Sequence, residues 1–210
     1  NPWRTRRGRW AAGEADGEGR VLTLANQLTI LRMVMIPLLI TLLLNNLNGW
    51  ALAVFILAGI TDALDGLIAR RYSQSSSIGA FLDPMADKLL MTACFIVLAL
   101  PDHPKTVPDF HLTNRIPLYL TIVTISRDVF IVLIVLLAHL TSGVADFSPS
   151  LPGKLTTAIQ LVTIGTVILL NLLGREQPIL VGALVWLTLA LTLASGFHYI
   201  YRGTRSVGKE

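Results

Sequence analysis

Four aspartates and two glycines recur at fixed intervals in the middle of this 210-residue chain. Carboxylates are costly inside apolar segments unless a compensating partner accompanies them. Four of them on two neighbouring apolar segments therefore predict bound metal cations and a reaction that uses those cations. The pattern reads Asp-x-x-Asp-Gly-x-x-Ala-Arg, eight residues, then Gly-x-x-x-Asp-x-x-x-Asp, and it comprises Asp62, Asp65, Gly66, Ala69, Arg70, Gly79, Asp83 and Asp87.

The residue types in this pattern indicate phosphoryl-type chemistry. Clustered carboxylates repel one another, and divalent cations relieve that repulsion. All-oxygen ligands are typical of Mg²⁺ or Mn²⁺, and Mg²⁺ usually keeps some waters and binds substrate phosphates. Two such ions about 3.5–4 Å apart stabilise both the attacking and the leaving oxygen of a phosphoryl transfer. Gly66 and Gly79 would let a bulky group approach the backbone, and Arg70 could pair with phosphate oxygens.

The spacing predicts that two helices position these residues. From Asp62 to Ala69 the intervals follow i, i+3, i+4, i+7, so one helix stripe presents carboxylates and small residues together. From Gly79 to Asp87 the interval is four residues, which gives a second such stripe. A short connection makes the two helices antiparallel neighbours whose stripes can face each other. A purely structural alternative, in which the aspartates form salt bridges with nearby cations, stays open; those cations are Arg70, Arg71 and Lys88.

The composition indicates a membrane protein. The chain is 53% hydrophobic and only 14% charged, whereas soluble domains carry about 25% charged residues. Apolar runs near the ~20 residues of a spanning helix recur along it. We therefore predict an all-α, polytopic membrane domain at residues 21–202, with an N-terminal interfacial segment at 21–27 and polar tails at 1–20 and 203–210. The six predicted transmembrane helices lie at roughly 29–46, 49–71, 79–100, 116–139, 154–173 and 178–201.

The basic residues predict an orientation in the membrane. If the N-terminus is cytoplasmic, most of the 17 lysines and arginines fall on the cytoplasmic side, as the positive-inside rule requires. Both termini and the aspartate motif would then be cytoplasmic. The net charge of +4 needs no nucleic acid to explain it, because no basic stripe is interleaved with stacking aromatic residues.

The aspartate motif resembles the signature of the CDP-alcohol phosphotransferase family of integral membrane enzymes, and it matches every fixed position. The segment from Leu24 to Arg32 resembles the leading segment of the phosphatidylglycerolphosphate and cardiolipin synthases in that family. Ala25 stands where those enzymes commonly have a proline. The wider resemblance covers most of residues 22–202.

The resemblance implies both a reaction and roles for the motif residues. The hydroxyl of an alcohol would attack the phosphorus that bears the diacylglycerol of CDP-diacylglycerol, and CMP would leave. Two Mg²⁺ or Mn²⁺ ions would be held by Asp62, Asp65, Asp83 and Asp87. Asp87 would in addition be the general base. The CDP pocket would be lined by Asp65, Gly66, Ala69, Arg70 and Gly79. The family further implies a homodimer among membrane lipids, in a bacterial inner membrane or, for a eukaryotic chain, the mitochondrial inner membrane.

Three basic residues are candidates for binding a phosphate-bearing acceptor. Arg127 lies inside a predicted span, where an unpaired cation favours an anionic substrate partner, although the adjacent Asp128 could simply neutralise it. Lys154 lies in a segment, from Gly153 to Gln160, that resembles one in the glycerophosphate-using enzymes, although it could serve only as an orientation charge. For Arg32 two roles are open: it could bind a substrate phosphate, or its side chain could extend to a lipid headgroup.

The expected acceptor is glycerol 3-phosphate, which would give phosphatidylglycerophosphate. The alternative is phosphatidylglycerol, which would give cardiolipin, and the run from Ser126 to Asp128 looks more like that of the cardiolipin synthases. An ion or proton transporter also places aspartates inside spans. Transport, however, favours carboxylates along a path or on broken helices near the midplane, whereas these cluster near one membrane face.

Overall fold

A computed structural model describes residues 24–72, 77–101, 110–142 and 151–207 of the chain. Side chains are described for residues 30–62, 86–101, 110–133 and 151–199. The predicted tail at residues 1–20 lies outside these ranges.

The described residues form six α-helices and no strand, so the all-α prediction is confirmed. Each helix overlaps one predicted span. The helices are α1 (Leu24–Leu44), α2 (Asn48–Tyr72), α3 (Ser77–Ala99), α4 (Leu118–Ser142), α5 (Leu151–Leu172) and α6 (Pro178–Val207).

The helices at the two ends of the chain extend beyond the predicted spans. α1 begins at Leu24, so the described part of the predicted interfacial segment is the first turn of that helix. α6 continues to Val207, five residues into the predicted C-terminal tail. Intrahelical hydrogen bonds can carry a helix past the end of its apolar stretch, and hydropathy therefore misses these terminal turns.

Two described helical segments, Leu151–Leu172 and Pro178–Tyr199, are long and apolar enough to cross a membrane. Ile30–Leu44 and Asn48–Asp62 are shorter apolar stretches. The outer surface carries many large apolar side chains, among them Trp50, Val132, Ile179, Trp186 and Phe197. An apolar exterior of this extent is typical of a surface that contacts lipid or another protein.

Sharp turns join consecutive helices at one end of the bundle. Asn46 adopts a φ of 55°, and the N–H of Leu47 donates to the carbonyl of Leu42 at 2.9 Å. This arrangement is a Schellman motif, which satisfies the last carbonyls of a helix. Gly174, with a φ of 59°, ends α5 in the same way. We call this end of the bundle, comprising residues 45–47, 110–117 and 173–177, the loop end.

The helices pack so that the aspartate motif lies away from the loop end. α1 packs against α2 and α3, α5 packs against α2, α3 and α6, and α4 packs against α3 and α6. Apolar side chains such as Leu39, Phe95 and Ile168 fill the centre of the bundle. Because α2 ends and α3 begins at the other end, Asp62 and Asp87 lie there, where both contact α1.

Candidate active site

A buried arginine joins the first and the last aspartate of the motif. Arg32 on α1 donates through Nη2 to Oδ1 of Asp62 on α2, at 2.9 Å. Its Nη1 donates to Oδ1 of Asp87 on α3, at 2.8 Å. The planar guanidinium suits this bridge because its nitrogens form a rigid fork that matches carboxylate oxygens. Two residues that are 25 positions apart in sequence are therefore brought to a single cation.

The exposures within this cluster are uneven. The side chain of Arg32 is 1% exposed, whereas those of Asp62 and Asp87 are 47% and 39% exposed. A buried cation needs an anionic partner because removing it from water is costly. The carboxylates, by contrast, remain accessible to a ligand. Arg32 therefore holds two partly open carboxylates in place, a contact that the prediction of acceptor binding did not include.

The backbone of the remaining motif residues is helical, in α2 and α3 as the spacing predicts. Their side chains lie outside the described residues, so their predicted roles stay predictions. These residues are Asp65, Gly66, Ala69, Arg70, Gly79 and Asp83.

The donor chemistry at this cluster fits a hard divalent cation. Asp62 and Asp87 present carboxylate oxygens, the ligands that Mg²⁺ and Mn²⁺ prefer, and both are partly exposed. Among the residues whose side chains are described, no group of three or more potential ligands forms a metal site. These two aspartates are half of the predicted ligand set, and the other half lies outside those residues.

A second ion-pair cluster links α3 to α4. Nζ of Lys88 and Nη1 of Arg127 each lie 2.7 Å from the same oxygen, Oδ1 of Asp128. Nη2 of Arg127 donates to Oγ of Ser195 on α6. The guanidinium carbon lies 5.9 Å from the centre of the Tyr199 ring, within the range of a cation–π interaction. Arg127 is 8% exposed, so these contacts offset the cost of burying its charge.

This cluster faces a cavity of about 820 Å³ between α3, α4, α5 and α6. Its polar wall includes Lys88, Arg127, Asp128 and Lys154. Arg127 and Lys154, two of the predicted acceptor-binding residues, are therefore brought to one cavity, whereas Arg32 contacts the carboxylates instead. The remaining wall is largely apolar, with Val129, Ile131, Val132, Leu133 and Leu161.

A smaller cavity of about 230 Å³ lies between α4 and α6, on another side of Arg127. Its wall is almost entirely apolar and includes Phe130, Leu193 and Phe197. Arg127 and Tyr199 line both cavities. Arg127 is therefore a buried cation that lies between two cavities, one with both polar and apolar walls and one with an almost entirely apolar wall.

From the sequence, Lys88 is predicted only as a possible structural partner of the aspartates. The structure pairs it instead with Asp128 on the next helix. One signal was present, since Lys88 directly follows the last aspartate of the motif and so lies on the same turn. The contributions of Ser195 and Tyr199 had no such signal, because α6 reaches Arg127 only through tertiary packing.

Known proteins similar to this chain share one type of chemistry. A sequence model of the CDP-alcohol phosphatidyltransferase family matches residues 22–194. A probable phosphatidylglycerophosphate synthase of Mycobacterium tuberculosis is 34% identical over 204 residues, covering 93% of this chain and 88% of that protein. The human cardiolipin synthase (CMP-forming) is 30% identical over 201 residues, covering 88% and 63% respectively. A probable cardiolipin synthase (CMP-forming) of Drosophila melanogaster is 34% identical over 199 residues, covering 86% and 57%.

The family match extends over the aspartate motif and over every charged residue of the two ion-pair clusters, and it ends at residue 194, just before Ser195. It confirms the resemblance drawn from the motif and favours an enzyme of phospholipid synthesis over a transporter. Since the match spans most of the chain and the mycobacterial relative aligns over most of both sequences, this protein belongs to the CDP-alcohol phosphatidyltransferase family.

Proposed function

We propose that this enzyme transfers the phosphatidyl group of CDP-diacylglycerol to a hydroxyl of glycerol 3-phosphate, giving phosphatidylglycerophosphate and CMP. The observation that carries this assignment is the basic cavity beside the motif helix. Arg127 and Lys154 line it, and the adjacent α3 carries Asp87. A small acceptor with a phosphate at one end and a hydroxyl at the other fits such an arrangement. The name of the mycobacterial relative supports the same acceptor.

The donor nucleotide would bind along the helix stripes of the motif. We assign the CDP group to Asp65, Gly66, Ala69, Arg70 and Gly79. Two Mg²⁺ or Mn²⁺ ions would be held by Asp62, Asp65, Asp83 and Asp87. When bound, such ions supply positive charge to the pyrophosphate oxygens and lower the barrier for displacement at phosphorus.

Asp87 would act as the general base. In the proposed step the acceptor hydroxyl oxygen forms a bond to the phosphorus that bears the diacylglycerol. The bond from that phosphorus to the bridging oxygen breaks, and CMP leaves with the electron pair. The hydroxyl proton passes to the carboxylate of Asp87. Arg32 contributes by orientation, because it ties Asp87 to Asp62 and so limits the positions that the base can take.

The acceptor phosphate would bind to Arg127 and Lys154. Arg127 is suited to this role because hydrogen bonds to Asp128 and Ser195 orient its guanidinium at the cavity wall. Lys154 is exposed at the first turn of α5 and lines the same cavity. Arg32 would help indirectly, through the carboxylate that receives the proton.

For the whole molecule, we propose six transmembrane helices with both termini and the active site in the cytoplasm, and a homodimer in the membrane. The apolar exterior of the described helices supports this membrane placement. A bacterial inner membrane is the proposed location, since the mycobacterial relative is bacterial, and the mitochondrial inner membrane is the counterpart for a eukaryotic chain. The membrane also supplies the lipid donor.

A second candidate acceptor is phosphatidylglycerol, which would make the enzyme a cardiolipin synthase. The volume and the apolar wall of the larger cavity favour it. A volume near 820 Å³ is in the range that holds a drug-sized ligand. Val129, Val132 and Leu133 on its wall are exposed, which would suit an acyl chain that enters from the bilayer.

An acceptor panel separates these functions. The purified protein is incubated with CDP-diacylglycerol and Mg²⁺ or Mn²⁺, with glycerol 3-phosphate, phosphatidylglycerol, serine or inositol phosphate offered singly. We expect CMP release and phosphatidylglycerophosphate formation with glycerol 3-phosphate, and none after chelation of the metal. The measurements are CMP by chromatography and the lipid product by mass spectrometry.

Three other outcomes would change the assignment. Product with phosphatidylglycerol alone would assign a cardiolipin synthase. Product with serine would overturn the phosphate-bearing acceptor class. Absence of CMP with every acceptor, from protein that is folded by circular dichroism, would contradict the proposed reaction.

A further inference from the structure

Lys88 has no role in the site proposed above, and Asp128 only holds Arg127, yet the contact between Lys88 and Asp128 joins the two halves of that site. Lys88 is the residue after Asp87, so both lie on one turn of α3. Adjacent residues on a helix point about 100° apart. Asp87 accordingly reaches Arg32 on α1, and Lys88 reaches Asp128 on α4. One turn of helix thus presents a carboxylate to one side and an ammonium group to the other.

Asp128 brings two cations to one point. Its Oδ1 accepts hydrogen bonds from Nζ of Lys88 and from Nη1 of Arg127, each at 2.7 Å. Two cations that share one carboxylate oxygen would otherwise repel each other. A single negative charge cannot neutralise both, and a further anion placed beside them would be attracted.

The charges around the larger cavity show which anion would suit it. Among the described residues of its wall, Lys88, Arg127 and Lys154 are cations and Asp128 is an anion, which leaves an excess of two positive charges. A phosphate monoester carries about −1.5 to −2 at pH 7. A monoester would therefore balance the wall almost completely, whereas a phosphodiester, with one negative charge, would leave it positive.

We infer that Lys88 binds the acceptor phosphate together with Arg127 and Lys154, and that Asp128 is a positioning residue that holds Lys88 and Arg127 for it. This inference rests on the proposed function and narrows its acceptor to phosphate monoesters. It also explains why Lys88 is 40% exposed while its partner Asp128 is 18% exposed. The cation that meets the ligand stays open to the cavity, and the anion that orients it lies deeper.

The test compares four variants in the steady state. Lys88→Gln removes the charge, Lys88→Arg keeps it, and Asp128→Asn removes the positioning carboxylate. Arg175→Gln is the matched control, because it removes an exposed cation at the loop end. Values of KM for glycerol 3-phosphate, KM for CDP-diacylglycerol and kcat are measured for each variant.

We expect Lys88→Gln to raise KM for glycerol 3-phosphate by about tenfold or more, the usual effect of losing a hydrogen bond to a charged group. KM for CDP-diacylglycerol should stay within about twofold, because the donor lies on the motif stripes. Lys88→Arg should restore most of the acceptor affinity, and Asp128→Asn should raise the acceptor KM by a smaller factor. Arg175→Gln should match the wild type. Equal changes in both KM values, or no change in the acceptor KM, would overturn the inference.

A binding measurement separates this inference from the reaction itself. Equilibrium dialysis with labelled glycerol 3-phosphate and no CDP-diacylglycerol reports the acceptor site alone. Weaker binding to Lys88→Gln than to the wild type supports the inference even if the wild type releases no CMP. Equal binding to both proteins, or no binding to the wild type, overturns it whatever the outcome for transfer.

Discussion

The two ends of the bundle bury polar groups in different ways. At the loop end the groups are neutral and bind one another reciprocally. The backbone N–H of Asn114 donates to Oδ1 of Asn171 at 2.7 Å, and Nδ2 of Asn171 donates to the carbonyl of Asn114 at 3.0 Å. The side chain of Asn114 donates to the carbonyl of Arg175 and accepts from the N–H of Gln177.

At the opposite end, which holds the two ion-pair clusters and which we call the site end, most of the paired groups are charged and several of them are partly exposed. Arg32 lies between Asp62 and Asp87, and Lys88 meets Asp128. In each contact the less exposed member, Arg32 or Asp128, pairs with a side chain that is about 40% exposed or more. The groups are thus fixed in position but remain open to a ligand.

This difference indicates that the loop end stabilises the fold and that the site end acts on a substrate. Buried neutral amides that satisfy backbone groups stabilise a loop without offering anything to a substrate. Charges held by partial pairing cost desolvation energy, and that cost is understandable where the charges act on a substrate. Substitutions at the site end should therefore change turnover, and those at the loop end should change stability.

The largest effect on turnover is expected for Asp87→Asn. Loss of a general base typically costs 10²–10⁴ in rate, so we expect CMP release to fall by about 10³-fold. The variant should remain folded, because the amide keeps the size of the side chain and can still accept from Arg32. Rates of CMP release and the circular dichroism spectrum are the measurements.

The matched control for this prediction is Glu176→Gln, the same carboxylate-to-amide change at an exposed position of the loop end. It should leave turnover within about twofold of the wild type, in line with the near-neutral effect of most surface changes. Comparable losses of turnover in both variants would contradict the assignment of catalysis to the site end alone.

A smaller loss is expected when the bridge between the carboxylates is removed. Arg32→Met leaves Asp62 and Asp87 without their shared cation, and misplacing a catalytic group can cost about 10²-fold in rate. Because the carboxylates are partly exposed, the stability loss should be about 1–3 kcal/mol, below the 3–5 kcal/mol of a fully buried pair. Turnover and thermal unfolding in detergent measure the two effects.

Arg32→Lys sharpens the same prediction. Lysine keeps the charge but cannot present two nitrogens in a fixed fork, so we expect turnover between that of Arg32→Met and the wild type. If the lysine variant matched the methionine variant, geometry would matter and charge would not. Wild-type turnover in both would show that the bridge has no part in positioning Asp87.

Much of the fold follows from local sequence signals, and the site follows from them only in part. Apolar runs and the spacing of the motif give the six helices and place Asp62 and Asp87 on facing stripes. The contact of Arg32 with both carboxylates is not local, because it depends on how α1 packs against α2 and α3. The pairing of Lys88 with Asp128 likewise depends on the packing of α3 against α4. The spacing of residues along the chain predicts neither contact.

The loop end provides the last prediction, in which stability falls and turnover does not. Asn171 is 8% exposed and pairs with both backbone groups of Asn114. Asn171→Ala leaves a buried N–H and a carbonyl without these partners, and each unsatisfied buried group costs about 1–3 kcal/mol. We therefore expect a clearly lower unfolding temperature, with kcat and both KM values of the folded fraction unchanged.

Asn171→Asp removes only the donor of this pair and adds a charge. The carboxylate keeps an acceptor for the N–H of Asn114 but loses the donor to its carbonyl. It also places a negative charge at a buried position, which carries its own desolvation cost. We expect this variant to be destabilised as well, with unchanged kinetics. A change in acceptor KM in either Asn171 variant would mean that the loop end is coupled to the site, and the division between a structural end and a chemical end would fail.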